Sequence, residues 1–513
     1  MQINVLEYLE QGALITHRHR TAVIDQGREF TFDAIARHAK NCAALILRHA
    51  AAVNQPIAVF LPKSAETIIA DLGVLYSGNF YANLDVKSPP ERLKAILNNL
   101  GSGLIITASA HVGTLCGLGV SEQRLLLVDA AMTQDAEHDS AALRARLEQL
   151  IDTDPLCIIH TSGSTGIPKG VALNHRSTID FMDWVFARLR LDGSEVIGSL
   201  SPFYFDIYTL ELYLCLAKGA TLVIIPEHHA VFPAKLLQFM TEMAISFIFW
   251  VPTIMVNIAN QDLLATRKPE SLRKIFFAGE VFPTKSLNYW RRHLPDALFV
   301  NLYGPIEISV DCTYFVVDRD LQDDEKLPIG FPCRNTDILI LDERDRPVQA
   351  DEVGELCVRG SSLALGYWND RERTAQAFVQ NPLNPHYPEP IYRTGDLVHR
   401  NPRGEIMIVG RKDFQIKHLG YRIDLGEIEH AALQIDAIGN ACVIYDQARK
   451  QIMLFFQSAE ELSAAVIRER LTAFLPKYML PTVYQRMDVL PRNPNGKIDR
   501  QLLAERVAAA HGA

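Results

Sequence analysis

The fold and the chemistry of this chain are decided by the stretch Thr161-Ser162-Gly163-Ser164-Thr165-Gly166-Ile167-Pro168-Lys169-Gly170. It follows the apolar run 156–159, which predicts a buried strand. Glycines let a backbone curl around an anion, and free N–H groups and hydroxyls then bind phosphate oxygens. Lys169 adds a point charge. It is not the G-x-x-x-x-G-K-[ST] loop, since Pro168 precedes the lysine and Gly170 follows it. We expect a nucleotide triphosphate site.

The composition excludes several classes of protein. The 513 residues are 48% hydrophobic and 22% charged, as in an ordinary globular protein. A net charge of −9 without a Lys/Arg cluster argues against a nucleic-acid partner. No apolar run reaches about 18 residues and no signal peptide is visible, so we expect a cytoplasmic protein without membrane insertion. The eight cysteines form no C-x-x-C pair and are expected to be reduced structural thiols.

Short apolar strands alternate with helical patterns over residues 1–150 and again after the glycine-rich stretch. This alternation predicts a mostly parallel sheet covered by helices. The helix is expected at 64–77, and the strands are expected at 56–61, 104–107, 125–128, 220–225 and 246–250.

From about residue 327 the pattern changes to shorter strands, at 338–341 and 354–358, which predicts a smaller β-rich unit. The polar residues 410–413 follow an apolar strand at 406–409 and predict a domain boundary and hinge. The fold class expected is therefore α/β. A large N-terminal domain, 1–411, would contain parallel sheets, helices and the β-rich subdomain, and 412–513 would form a mobile α+β C-terminal domain.

Four further motifs carry polar chemistry. Residues 301–307 follow the apolar 298–300 and so lie at the carboxyl end of a strand, where α/β sheets bind ligands. There Tyr303 could stack on adenine, Asn301 could hydrogen-bond it, and Glu307 could hold Mg²⁺.

The third motif is 392–396, where a carboxylate after a tight turn, Asp396, could accept both ribose hydroxyls. By itself it is equally a surface Asx turn. The fourth, 410–424 followed by Glu427 and Glu429, would alone be a charged hairpin. The fifth, 494–500, would alone be a surface lysine at an Asn-Gly turn.

In this order and at these spacings, the five motifs resemble the adenylate-forming superfamily of acyl-CoA synthetases, luciferases and peptide-synthetase adenylation domains. The resemblance covers essentially the whole chain. Residues 354–356 with 366–368 look like the linking strand motif of that family. Phe205-Asp206 falls where amino-acid-activating members carry the aspartate that binds the substrate ammonium. The chain is therefore identified as a member of the amino-acid adenylation branch.

The resemblance implies a role for each matched residue. Lys497 and Glu307 would be catalytic, Glu307 being the Mg²⁺ ligand, and Asp413 would be the hinge. Substrate carboxylate would attack the ATP α-phosphate, Lys497 would stabilise that step, and rotation about Asp413 would then bring residues 417–420 to the site for attack by a thiol. The ATP-binding residues would be Thr161, Ser162, Gly163, Ser164, Thr165, Lys169, Asn301, Tyr303, Gly304, Ile306, Asp396 and Arg411.

One position departs from the family pattern. Ile306 stands where the family usually has threonine, so one hydrogen bond to phosphate is missing, worth ~1–2 kcal/mol. We still expect a working enzyme. A degenerate nucleotide-binding or interaction protein is the alternative.

The substrate pocket predicted from the resemblance is lined by large side chains, which favours a small amino acid. Glycine is ranked first, alanine of either hand second, and proline and serine follow. The acidic Asp311 lies where serine-activating domains often carry an acid. The pocket residues are Asp206, Ile207, Leu210, Phe249, Phe276, Ala278, Leu302, Val310 and Asp311, with Lys497.

No carrier or condensation domain follows Lys497, which predicts a stand-alone ligase whose acceptor is a separate phosphopantetheinylated carrier protein. The enzymes it resembles are the D-alanine–carrier ligases and the glycine–carrier ligase of lipid A modification. An acid–CoA ligase of the same fold is the second hypothesis, disfavoured by Asp206. Neither HIGH nor KMSKS occurs, which disfavours an aminoacyl-tRNA synthetase.

Overall fold

The computed structural model describes residues 2–49, 52–133, 140–162, 168–412, 415–458, 460–492 and 498–509. The chain forms two compact units. The first consists of Met1–Val86, Leu100–Ile159 and Val171–Lys412, and the second of Lys87–Asn99, His160–Gly170 and Asp413–Ala513.

The larger sheet of the first unit is parallel in its middle and antiparallel at its ends. The predicted strands at 220–225 and 246–250 are confirmed as two of its members. In spatial order, its nine strands within the described residues are Phe331–Pro332, Thr313–Val316, Leu298–Tyr303, Lys274–Phe277, Phe247–Trp250, Val196–Ser199, Thr221–Ile224, Thr21–Asp25 and Arg28–Thr31.

Side chains alternate between the two faces of this sheet, as the two-residue period of a strand requires. Phe249 and Phe276 face one apolar core. Trp250 and Phe277 face another. Because both faces are buried, the strands read as continuous apolar runs in the sequence, which is why they were predictable.

A second, mostly parallel sheet contains the strand that leads into the glycine-rich stretch, which confirms the predicted strands at 56–61, 104–107, 125–128 and 156–159. Its seven strands in the described chain are, in spatial order, Gly366–Tyr367, Lys169–Asn174, Pro155–Thr161, Phe80–Asn83, Pro56–Phe60, Ile105–Thr107 and Leu125–Leu127.

The smaller β-rich unit predicted after residue 327 is an antiparallel sheet. The expected tight turn before Asp396 is wrong. Residues Pro390–Arg400 form one continuous strand, in which Gly395 takes a φ of 74° and the pairing register shifts nearby. Glycine adopts this left-handed backbone without steric cost, so the chain makes a bulge there instead of a turn. The other strands of the sheet are Thr336–Leu341, Gly354–Gly360, Phe378–Gln380 and Ile406–Arg411.

Helices cover the sheets of the first unit. The predicted helix at 64–77 is confirmed as Ala65–Tyr76. A π-helical turn, Leu9–Ala13, joins the two shortest helices. The α-helices are Leu6–Tyr8, Leu14–Thr16, Phe32–Leu47, Ala65–Tyr76, Val112–Gly117, Val128–Thr133, Ser140–Leu147, His175–Leu189, Ile207–Lys218, Pro233–Glu242, Pro252–Asn260, Thr284–His293 and Arg371–Ala377, and the 3₁₀ turns are Ser109–His111, Glu122–Arg124, Glu227–Val231, Leu263–Ala265 and Ile306–Ile308.

The second unit has its own apolar core. A hairpin pairs Gln415–His418 with Tyr421–Asp424 through a turn in which Leu419 and Gly420 both have positive φ. Its remaining elements are the helices Pro90–Leu100, Leu425–Leu433, Ala464–Leu471 and Arg500–Ala509, the 3₁₀ turn Lys477–Met479, and the strands Ile438–Asp446, Gln451–Ser458 and Val483–Arg486.

The polar junction expected at 410–413 begins later than predicted. Gly410 and Arg411 belong to the strand Ile406–Arg411 and pair with Leu397 and Asp396. The strand continues through polar residues because Arg411 forms an ion pair with Asp396 on the neighbouring strand, at 2.7 Å. Across the described residues, no helix combines the length and the apolar character needed to cross a bilayer.

Candidate active site

The first cluster of the site is formed by Tyr303, Asp396 and Arg411. The Tyr303 hydroxyl donates to Asp396 Oδ2 at 2.5 Å, and Arg411 Nη1 donates to Asp396 Oδ1 at 2.7 Å. Burial, and then the neighbouring Asp396 carboxylate, raise the pKa of Tyr303 well above its ordinary value. The hydroxyl therefore remains a donor at neutral pH. This cluster joins the residues predicted for adenine and for ribose.

Asn301 lies two residues before Tyr303 on the strand Leu298–Tyr303, at the carboxyl end predicted from the sequence. Its Nδ2 donates to the carbonyl oxygen of Pro328 at 2.7 Å, and the residue is 7% exposed. The side-chain orientation of Asn301, which is predicted to bind adenine, is therefore fixed by the Pro328 carbonyl.

Glu307 is buried in the 3₁₀ turn Ile306–Ile308. The Tyr367 hydroxyl donates to Glu307 Oε1 at 2.8 Å, and the Ala364 amide donates to the Glu307 carbonyl at 2.9 Å. Tyr367 was singled out in the sequence only as part of a linking motif. Its contact with Glu307 spans 60 residues, so no local pattern could reveal it.

The turn that carries Glu307 needs its glycine. A Cβ on Gly304 would overlap the Val310 carbonyl oxygen and lie 2.5 Å from Asp311 Cα, and both are backbone atoms. Ser309 and Val310 have φ of 52° and 70°. For a β-branched residue this left-handed backbone costs of order 1–3 kcal/mol. The segment is therefore held in shape by its surroundings.

Seven of the predicted pocket residues belong to one apolar core. Phe249 and Phe276 are direct neighbours in register on adjacent strands, and their rings lie 6.4 Å apart edge to face. Asp206 immediately precedes the helix Ile207–Lys218, and Asp311 is 3% exposed. The members of this set that share a single apolar core are Ile207, Leu210, Phe249, Phe276, Ala278, Leu302 and Val310.

The described ends of the predicted phosphate-binding stretch lie in the second unit. Ser162 Oγ donates to the Arg422 carbonyl at 2.7 Å and accepts from the Asp424 amide at 3.1 Å. Thr161 Oγ1 is buried and has no hydrogen-bond partner within the described part of the chain. Lys169 is 7% exposed. The predicted site residues that lie outside the described residues are Gly163, Ser164, Thr165, Asp413 and Lys497.

A buried ion pair in the second unit was not predicted. Arg92 donates to Glu427, and the two side chains are 7% and 2% exposed. Next to it, burial and then the charge of Arg92 lower the pKa of His160 to about 3. His160 is therefore neutral, one residue before Thr161. The acidic stretch after residue 424 gave no sign that Glu427 would be internal, because its partner lies 335 residues away.

The donor set suits a magnesium ion held mainly by its substrate. Glu307 supplies a hard carboxylate oxygen whose position is fixed by Tyr367. Among the described residues, no group of three or more His, Cys, Asp or Glu side chains is placed to hold a metal. Mg²⁺ is typically bound by one or two carboxylates together with substrate phosphates, so a single carboxylate fits it.

Comparison with known proteins shows the family to which the chain belongs. The family model described as "AMP-binding enzyme" matches residues 11–368. Gramicidin S synthase 2 of Brevibacillus brevis is 32% identical over 98% of this chain, and tyrocidine synthase 1 of Brevibacillus parabrevis is 31% identical over 95%. The chain spans only 11% and 43% of the lengths of these two relatives.

Two solved structures show the same fold. The adenylation domain AlmE of Vibrio cholerae, in complex with glycyl-adenosine-5′-phosphate, superposes with a TM-score of 0.83 at 20% identity, over 99% of this chain and 98% of that one. Holo-PA1221, which contains adenylation and PCP domains, gives a TM-score of 0.82 at 24% identity, over 98% and 84%. The expected α/β fold, with a large N-terminal part and a smaller C-terminal part, is that of adenylation domains.

Proposed function

Because this chain belongs to the family of AMP-binding enzymes, we propose that it activates a small amino acid with ATP and transfers it to a carrier thiol. Glycine is the favoured substrate and alanine the next. The acceptor is the phosphopantetheine thiol of a separate carrier protein. The observation that carries the proposal is a buried apolar set, in which Phe249 and Phe276 stand edge to face and share a core with Ile207, the residue after Asp206.

Recognition of the ammonium group rests on Asp206. The residue is half-buried and directly precedes the first turn of the helix Ile207–Lys218. The positive end of a helix dipole stabilises a carboxylate there, which suits Asp206 to binding a cationic substrate group. Ile207 and Leu210, in the same helix, line the apolar core beside it.

The preference for a small side chain follows from the volume that the protein itself fills. Phe249, Phe276 and Leu302 project from three adjacent strands onto one face, and each is at most 1% exposed. Val310, which lies in the strained segment after Glu307, packs in the same apolar core. Protein interiors are close-packed, so a bulky substrate would have to displace these side chains.

The reaction proposed has two steps. A carboxylate oxygen of the amino acid attacks the α-phosphorus of ATP, and the bond to pyrophosphate breaks. The thiol then attacks the carbonyl carbon, a thioester forms, and AMP leaves. Asp396 and Arg411 are proposed to hold the ribose, Asn301 and Tyr303 the adenine, and Lys497 to offset negative charge at the α-phosphate. When bound at Glu307, Mg²⁺ supplies further charge neutralisation on the phosphates.

The carrier acceptor is supported by the relatives. The chain matches a part of each of two longer synthases, and a protein of the same fold contains adenylation and PCP domains. The domain arrangement that we propose is a core of residues 1–411 and a mobile part from 412, with the hinge at Asp413.

The decisive experiment is amino-acid-dependent ATP–pyrophosphate exchange with glycine, L- and D-alanine, L-proline and L-serine. We expect exchange with one small amino acid, strongest with glycine. Asp206→Asn should abolish it, whereas Asp318→Asn, at a surface aspartate on another segment, should not. Exchange with none of the amino acids, in a protein that still binds ATP, contradicts the proposal.

The acceptor is tested separately. Radiolabelled amino acid, ATP and the enzyme are incubated with phosphopantetheinylated carrier protein or with free coenzyme A. Label that becomes bound to the carrier and is released by hydroxylamine supports a carrier ligase. Label recovered only on coenzyme A shows an acid–CoA ligase instead.

A further inference from the structure

The segment that carries Asp206 has no regular structure of its own. It runs from the end of the strand Val196–Ser199 to the start of the helix Ile207–Lys218. Such a segment has no ladder of backbone hydrogen bonds to set its position. The Asp206 carbonyl accepts from the Thr209 amide at 2.9 Å, and side chains from other elements hold the rest of the segment in place.

One such cluster consists of Asp71, Asn83 and Tyr208. Asp71 Oδ2 accepts from the Tyr208 hydroxyl at 3.0 Å and from Asn83 Nδ2 at 3.0 Å. Asn83 Nδ2 also donates to the Phe203 carbonyl at 3.3 Å. The cluster thus joins the helix Ala65–Tyr76 to both sides of Asp206.

The rings of the segment complete the attachment. Phe203 stacks on Tyr208 with the ring centroids 4.1 Å apart and an interplanar angle of 21°. Phe203 and Tyr208 are 4% and 1% exposed, and Asp71 is fully buried. A buried hydrogen-bonded group is held firmly in position, because moving it would leave a buried polar group unsatisfied.

A second contact fixes the start of the segment. Lys63 Nζ donates to the Ser199 carbonyl at 2.7 Å and lies 5.5 Å from the centre of the Phe203 ring. The Ser199 hydroxyl donates to Glu211 Oε2 at 2.6 Å, and Glu211 lies on the helix that follows Asp206. Both ends of the segment are therefore tied to buried polar side chains.

We propose that Asp71, Asn83 and Tyr208 form a positioning network that places Asp206 for the ammonium group of the substrate and so sets the affinity for the amino acid. None of the three needs to touch the substrate. The inference rests on the proposed function, because it assigns Asp206 to the ammonium group. It adds the group of residues outside the predicted pocket on which that binding depends.

The test compares two tyrosine-to-phenylalanine variants on one helix. Tyr208→Phe keeps the ring stacked on Phe203 but removes the donor to Asp71. Tyr213→Phe removes another buried hydroxyl on the same helix, one that makes no hydrogen bond to Asp71. In pyrophosphate exchange, we expect Tyr208→Phe to raise the KM for the amino acid about tenfold and to leave the KM for ATP within about twofold.

The KM values separate positioning from general loss of structure. A variant that is merely less well folded loses active protein, which lowers kcat and leaves both KM values unchanged. Equal effects of Tyr208→Phe and Tyr213→Phe, or a rise in the KM for ATP as large as that for the amino acid, overturn the proposal. Asn83→Ala, which removes the donor to Asp71 and to Phe203, is expected to reproduce the effect of Tyr208→Phe.

A second readout does not depend on activity. Hydrogen exchange measured by mass spectrometry should be faster over residues 200–209 in Tyr208→Phe than in the wild type, with no such change in Tyr213→Phe. Unchanged exchange over these residues overturns the network. A wild-type protein without pyrophosphate exchange contradicts the proposed function, and the hydrogen-exchange comparison still decides whether the network orders the segment.

Discussion

Tyr303 and Asp396 are 93 residues apart in the sequence, and the hydroxyl of one lies 2.5 Å from Oδ2 of the other. Arg411 occupies the second carboxylate oxygen at 2.7 Å. The strand end of the large sheet and the bulged strand of the smaller β-rich sheet are thereby tied together by one carboxylate. The proposed adenine and ribose contacts should respond together when this link is cut.

Tyr303→Phe is expected to weaken the binding of ATP. The variant removes the donor to Asp396 and keeps the ring, so the KM for ATP should rise about three- to tenfold at an unchanged KM for the amino acid. Tyr289→Phe is the control. The Tyr289 hydroxyl accepts from the Leu264 amide at 2.9 Å and takes no part in the contacts of Tyr303. An unchanged KM for ATP in Tyr303→Phe would contradict the proposed nucleotide site.

Tyr367→Phe is expected to raise the Mg²⁺ requirement. The Tyr367 hydroxyl orients Glu307 Oε1, and a carboxylate without its oriented partner binds a metal less well. The Mg²⁺ concentration for half-maximal pyrophosphate exchange should rise about tenfold. Tyr76→Phe, which deletes another buried tyrosine hydroxyl paired with a carboxylate, should leave it unchanged. Equal Mg²⁺ dependence in all three proteins would argue against Glu307 as the ligand.

Ile306→Thr should increase activity. The side chain is half-buried at the start of the 3₁₀ turn that carries Glu307, and a hydroxyl there could bond a phosphate. A gain of ~1 kcal/mol corresponds to about fivefold in kcat/KM. Ile306→Val is the control, because valine has the shape of threonine without its hydroxyl. If both variants change kcat/KM equally, residue 306 affects activity through packing and not through a hydrogen bond to phosphate.

The stability of the wild type should depend on pH through Asp71. Burial raises the pKa of Asp71 from 3.8 to about 8. The folded chain then keeps a proton that the unfolded chain releases, so the free energy of unfolding falls as pH rises from about 4 to about 8. The steepest slope is about 1.4 kcal/mol per pH unit. The facing thiols of Cys42 and Cys157, whose pKa values are also raised by burial, remain neutral.

Asp71→Asn removes this titration. Measured by thermal unfolding at a series of pH values, the stability of the variant relative to the wild type should therefore increase from about pH 4 to about pH 8. Asp318→Asn, at a surface carboxylate, should run parallel to the wild type. Parallel curves for Asp71→Asn would show that Asp71 is ionised in the folded chain at neutral pH.

The sequence predicted the sheet strands well because both faces of each sheet are buried. Runs such as 104–106, which Thr107 follows, and 247–250, which Ser246 precedes, are apolar throughout, so their bounds are visible locally. The helices Leu6–Tyr8 and Leu14–Thr16 gave no such signal. Each has only three residues, and the first is stabilised by burial of Leu6 and Tyr8 rather than by propensity.

The candidate site was predictable as a set of residues but not as a set of contacts. Asp396 stood out as a carboxylate in a polar motif, yet the bulge at Gly395 and the two partners of Asp396 depend on strands that pair over long distances in the chain. Asp71 and Asn83 carried no motif at all. They read as ordinary polar residues in apolar segments, and only the fold brings them to Tyr208.

The left-handed backbone at Val310 has a consequence for altering substrate choice. Phe249, Phe276 and Leu302 lie on strands, where any side chain of suitable volume keeps the same backbone. Position 310 holds a valine at a φ of 70°, a backbone conformation that glycine, asparagine and aspartate tolerate better. A mutant library aimed at new substrates should therefore be broad at the three strand positions and should include glycine, asparagine and aspartate at 310.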